Sequence, residues 1–276
     1  MDIVLLNMIP KLKGIIPLSL FALLMSCGSS YNLETVKPDE HISQWKFSPK
    51  EETDKVVLFL GDGVNQPDSI PKELIETFIN KGYSVIGIEK YDSQKGYLRV
   101  INTDTRDLRI QTISDFLQSQ TYSELIVYGR GEGGIIAPQI ANNFRAKALI
   151  VSNTHLVSSK EYFESVLTCG CEYKDSLSAE MNLSSDQQWM EFMTAVQEKP
   201  NTGTAWRGRS SRQFASYWNY EALGYIQQFQ GSSLVINNPK SPVYKKEYGL
   251  LSPLPKLTWT TREKENQAIS KFLGNL

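Results

Sequence analysis

Between Lys55 and Ser152 the chain alternates short apolar runs with amphipathic stretches, and that alternation restricts its fold more than any other feature. VVLFL (56–60), YSVIGIEKY (83–91), ELIVY (124–128) and AKALIVS (146–152) have the length and branched apolar character of buried strands. Helical patterns lie between them. SIPKELIETFINKG (69–82) carries Pro71 in its first turn and Gly82 at its end. DLRIQTISDFLQSQ (107–120) puts Leu108, Ile110, Ile113, Phe116 and Leu117 on one face, and GGIIAPQIANNF follows the third strand. Strands separated by helices need crossovers, so an α/β fold with a mostly parallel sheet flanked by helices is expected.

The alternation stops after Ser152 and resumes with SSLVINN (232–238), KLTWT (256–260) and a last helix over TREKENQAISKFL. The segment between, about 156 to 215, is rich in aromatic residues and methionine within polar surroundings. It reads as an ordered cap over the strand ends, where sheets of this kind bind ligands. Trp189, Trp206, Tyr217 and Trp218 are expected to form its core, with a partner-facing surface as the alternative. Residues 55–276 are thus one domain, and the polar stretch 28–54, containing Pro38 and His41, reads as a tether.

YGRGEGG, with Gly129, Gly131, Gly133 and Gly134 in its frame, resembles the G-x-S-x-G-G nucleophile elbow of the α/β-hydrolase superfamily. VVLFLGDGVNQPDS resembles the segment supplying an oxyanion-hole amide, and KGYSVIGIEKYD is similar to the strand after it. FASYWNYEALGYIQQFQGSSLVINNPKSPV resembles the return from the cap in the peptidase-like and acyl-thioesterase-like branch. This resemblance implies a serine, an acid and a histidine in that chain order. At those places the chain reads Gly131, then NNPKS with Ser241 near the acid position, then TREKENQAISKFLGNL without histidine. The elbow apex adopts positive φ, which glycine accepts freely, so loss of a serine there relaxes the turn by about 1 kcal/mol.

These departures lead to the expectation of a hydrolase-like fold without hydrolase chemistry. Amides of Glu132 and Gly133, joined by one near Asp62 or Gly63, would still face the crevice and hold a small carboxylate or ester-like group above Gly131. Arg130 would add charge or pair at the surface, Asp62 would serve its turn, and Glu132 would favour the helix dipole. An envelope protein partner is the other binding expectation. The alternative is an ester, thioester or peptide hydrolase with displaced residues, built on an improvised Ser152–His155 pair with Asn153 and Ser158 nearby.

The N-terminus adds a location. From Met8, two lysines, roughly a dozen mainly apolar residues and a small-residue end form a secretory signal layout that is short for a membrane span. LLMSC resembles a bacterial lipobox, which implies lipidation of Cys27 and attachment to a membrane on the periplasmic or cell-surface side. Translation starts at Met1 or Met8. Cys169 and Cys171 remain; a bridge across one residue would close a small, strained and labile ring. Structural cysteines, a redox pair and metal ligation are the three readings of that pair. With two histidines in the chain, no metal site and no cofactor are expected. A net charge of -1 gives no basic footprint for nucleic acid.

Overall fold

A computed structural model describes residues 31–36, 42–61, 70–90, 105–198, 205–206, 209–262 and 265–276. Cys27, His41, Asp62 and Gly63 lie outside the described residues.

Eight strands form one sheet in the order β1-β2-β4-β3-β5-β6-β9-β10. They are β1 (Tyr31–Val36), β2 (Ile42–Pro49), β3 (Lys55–Leu60), β4 (Ser84–Lys90), β5 (Glu124–Arg130), β6 (Ala148–Ser152), β9 (Ser232–Asn237) and β10 (Leu257–Thr261). From β4 to β10 every pairing is parallel, while β1 and β2 add an antiparallel edge. The stretch expected to be a tether is therefore largely sheet. Its physical reason is the alternation in SQWKFSP: Trp45 and Phe47 sit two apart, share a face and are buried. Gly87 makes room for that indole, since a Cβ there would fall 1.9 Å from Trp45 Cζ2.

Side chains alternate across the sheet into two apolar layers. Leu58, Leu60, Val127, Leu149, Val151 and Val235 face helices α2 (Arg106–Ser119), α3 (Glu132–Asn143) and α8 (Ala222–Gln228). Val57, Phe59, Ile126, Tyr128, Ile150 and Ile236 face α1 (Lys72–Ile79) and α10 (Glu265–Gly274). Apart from Val56 at 7%, no one of these strands' apolar core residues is more than a few per cent exposed, as expected for central parallel strands covered on both sides.

The chain leaves β3 toward β4 on one side and returns to β5 on the other. That reversal opens a crevice beyond the carboxyl ends of β3 and β5, where Gly61 and Gly131 lie. Between β6 and β9 the chain inserts α4 (Ser159–Thr168), α5 (Glu172–Met181), α6 (Asp186–Glu198), a two-stranded β7 (Ala205–Trp206) and β8 (Arg209–Ser210), and α7 (Ser211–Tyr217). This insertion has its own apolar core. Phe163, Val166, Trp189, Phe192 and Val196 pack there with Trp218 and with Val243, just ahead of α9 (Tyr244–Leu251). Among the described residues no helix is long and apolar enough to cross a membrane.

Candidate functional site

β5 runs directly into α3 through Gly131, whose φ of 53° and ψ of −125° turn the chain sharply at the sheet's edge. The turn is fixed from both sides: Gly131 N donates to Ser152 O at 3.1 Å, and Gly134 N to Gly131 O at 3.0 Å. Two frame glycines are required by close approach. A Cβ on Gly129 would meet Ala137 Cβ at 2.5 Å, and one on Gly133 would meet Leu60 O at 2.1 Å. The apex itself carries no side chain, and α3 begins without a side-chain cap.

Glu132 borders the cavity above the turn, and its carboxylate, expected to favour the helix dipole, is engaged in a buried polar cluster. Arg109 Nη1 lies 3.1 Å from its Oε1, Tyr217 donates to the same oxygen at 2.8 Å, and Gln213 Nε2 reaches Oε2 at 3.4 Å. Arg109 also donates to Gly61 O at 2.7 Å. The cluster ties α2, the turn and α7 together. Burial, then the Glu132 charge, holds the Tyr217 phenol well above its ordinary range. A carboxylate so occupied is a structural anchor rather than a proton-transfer group. Arg130 ends β5, half-buried, and its charge acts on Tyr128, two residues back on the same strand.

Above the turn lies a cavity of about 180 Å³. Gly131 and Ile135 belong to its floor; Tyr162, Phe163, Leu177 and Phe214 of the insertion line its outer side. Asn153, His155, Asn237 and Ser241 from the strand-end loops complete it. Among the described residues no lysine or arginine lines the cavity, and the one carboxylate is the paired Glu132. Cavities of ~150 Å³ accept a benzene-sized molecule, so this one suits a small aromatic or short acyl group with one hydrogen-bonding end.

His155 opens into that cavity, but its partner differs from the one expected. Nε2 is 3.0 Å from Ser159 Oγ, and the ring stacks on Tyr162 with centroids 4.2 Å apart. Burial lowers its pKa to about 4, so the imidazole is neutral at ordinary pH. Ser152 lies on the opposite face of β6. Its hydroxyl donates to Glu265 Oε1, as does Tyr128 at 2.7 Å, and it is wholly buried. The improvised Ser152–His155 pair therefore does not exist. Strand alternation is the cause: Ser152 shares a face with Ala148 and Ile150, away from the insertion. Asn153 has φ 50° and accepts from Arg262 at 3.4 Å, while Ser158 caps α4 by accepting from Glu161 N at 3.2 Å.

Asn237 at the end of β9, with Asn238 and Ser241 of the loop after it, stands where the fold's acid would be expected. A carboxylate that sequence reasoning missed stands nearby. Glu247 of α9 is fully buried and accepts from Leu156 N at 2.6 Å, Val157 N at 3.3 Å and Asn237 Nδ2 at 2.8 Å. It braces the loop that carries His155. Burial outweighs these hydrogen bonds and pushes its pKa up to about 7. Among the described residues no group of three His, Cys, Asp or Glu could hold a metal, and Cys169 and Cys171 are joined in a disulfide.

No protein-family model matches the chain, and no curated protein matches it by sequence. Solved structures do. A thioesterase domain from the curacin biosynthetic pathway is 12% identical with a TM-score of 0.54, over 89% of this chain and 99% of that one. Proline iminopeptidase of Mycobacterium smegmatis is 12% identical with a TM-score of 0.57, over 88% and 98%. Est1E of Butyrivibrio proteoclasticus is 14% identical with a TM-score of 0.57, over 90% and 98%. The chain has the α/β-hydrolase fold; at these identities the likeness speaks of fold alone.

Proposed function

We propose that this α/β-hydrolase-fold protein binds a small ligand in the crevice above Gly131 without cleaving it, as a lipoprotein held at a bacterial envelope membrane through Cys27. The observation that carries the reading is Gly131 itself. It keeps the sharp turn, with φ 53°, yet offers no nucleophile. The other two expected positions support it: the loop after β9 offers amides and a hydroxyl, and the segment after β10 offers Glu265, whose carboxylate serves Tyr128 and Ser152 on the far face.

The lining refines the ligand. Among the described residues a fully ionised carboxylate would meet no cationic side chain there, but the first-turn amides of α3. An ester, amide or other neutral carbonyl compound with a short apolar body fits better, its oxygen taken by Asn or Ser donors and its body by Ile135, Phe163 and Leu177. An envelope protein docking on the insertion is the partner alternative, and a capping polypeptide would then compete with the small molecule.

A calorimetric titration of the full chain with phenyl acetate, ethyl butyrate, benzamide and benzoate tests this, with Leu177→Trp filling the cavity. Binding of the neutral compounds, weaker benzoate and loss on Leu177→Trp are expected. No binding by any of the four, in a chain that unfolds cooperatively, would sink the ligand reading.

One competing observation favours an enzyme: Ser159 and His155 are within hydrogen-bond reach and border the cavity. Three facts oppose it. The contact is local, four residues apart next to a helix start; Ser159 is 4% exposed; and a base with a pKa of about 4 draws a serine proton weakly.

A further inference from the structure

We propose that the Cys169–Cys171 bridge is a thiol–disulfide exchange site for an external dithiol, with Cys171 as the leaving thiolate, and that its opening loosens the outer wall of the cavity. The bridge spans only Gly170, which has φ 54° and is exposed; a Cβ added there would meet nothing within 4 Å. Solvent thus reaches the turn. A crosslink across one residue removes almost no freedom from the unfolded chain, so it contributes little to global stability and its effect is local.

The helices on either side polarise the bridge. Cys169 is the C-cap of α4, and Cys171 the N-cap of α5. Negative charge on the Cys171 sulfur is favoured by the positive end of α5, whereas charge on the Cys169 sulfur would face the negative end of α4. The first turn of α5 also has no side-chain cap in the oxidised protein, so a Cys171 thiolate would gain hydrogen bonds there. The better leaving group departs faster.

The exchange then runs in a defined order. One thiolate of the dithiol attacks Cys169 Sγ; an S–S bond forms between them and the Cys169–Cys171 bond breaks, its electron pair leaving on Cys171. The second thiolate of the dithiol attacks the dithiol's other sulfur in the mixed disulfide and expels Cys169; the Cys169 and Cys171 thiolates each take up one of the two protons that the dithiol released on ionising. The dithiol is oxidised to a disulfide and the bridge is reduced to two thiols.

The consequence follows from what the two helices carry. Ser159, Tyr162 and Phe163 of α4 and Tyr173, Leu177 and Met181 of α5 all border the cavity. Across the helices, the Tyr162 and Tyr173 hydroxyls are 2.9 Å apart. With Gly170 as the only residue between the two cysteines, the bridge clamps the angle at which α5 leaves α4. Opening it frees Gly170 to leave its left-handed conformation, and α5 to swing with its half of the wall. This inference concerns wall geometry and stands whichever molecule the cavity takes.

The test uses the full chain, treated with dithiothreitol or with glutathione, quenched with iodoacetamide and mapped peptide by peptide. Glutathione is expected on Cys169 and iodoacetamide on Cys171, and dithiothreitol is expected to reduce the bridge reversibly. Amide hydrogens of Glu172–Met181 should then exchange about tenfold faster or more, with β3, β5 and β6 unchanged. The Cys169→Ser/Cys171→Ser variant should match the reduced protein and ignore the reductant. A bridge that stays closed in the native protein, glutathione on Cys171, or exchange that rises nowhere or equally in the sheet would overturn the proposal.

Discussion

Arg109 Nη1 lies 3.1 Å from Glu132 Oε1 with both side chains almost wholly buried, so an ion pair locks α2 to the turn at Gly131. Tyr217 donates to the same carboxylate oxygen and extends the lock to the insertion. Arg109→Met removes a buried cationic partner of the Glu132 carboxylate, and should cost about 3–5 kcal/mol in urea unfolding. The double variant Arg109→Met/Glu132→Gln removes both charges and should recover much of that loss. A single variant within 1 kcal/mol of the parent would mean that the pair is not what holds these elements together.

Gly131→Ser puts a hydroxyl back at the apex. A side chain at φ 53° and ψ −125° costs about 1–3 kcal/mol, so the variant should fold with that loss of stability. It should remain inactive, because no base or acid stands at the positions that would serve it. Ester turnover by this variant would show that His155 reaches the apex after all.

Glu247 and His155 oppose each other in acid. Glu247 is raised from 4.5 to about 7, so its contribution to stability is full below pH 4.5 and is lost as pH rises through 7. His155 is lowered from 6.5 to about 4, so its contribution is full above pH 6.5 and is lost as pH falls through 4. In the parent protein the folded state exchanges one proton for the other, and the two slopes cancel between about pH 4.5 and 6.5. Each single variant unmasks the other group. His155→Phe should become less stable than the parent as pH rises through this window, and Glu247→Gln more stable. Urea unfolding of all three proteins at several pH values checks this, and parallel curves would refute it.

The sheet was legible wherever apolar runs were long. β3, β4, β5, β6, β9 and β10 and the helices α1, α2, α3 and α10 follow from period and length, since central strands covered on both faces must be apolar throughout; α9, between β9 and β10, was not among them. β1 and β2 escaped notice because an edge strand keeps only every second residue apolar, and Trp45 and Phe47 stand among lysines and serines. The position of Ser152 was legible in principle from the alternation along β6. The Glu132 cluster was not, because its members are brought together by tertiary packing from positions 109, 132, 213 and 217. Glu247 was likewise hidden, a lone acid in a connecting stretch whose helix and burial only the fold reveals.

The decisive measurement is sustained hydrolysis of 4-nitrophenyl acetate, butyrate and octanoate by the full chain, beside His155→Ala and Ser159→Ala. A fold kept for its crevice, with Gly131 at the apex, should give rates at the buffer background for all three proteins. Turnover by the parent that disappears in either variant would contradict this, and would make Ser159–His155 the working centre of an enzyme.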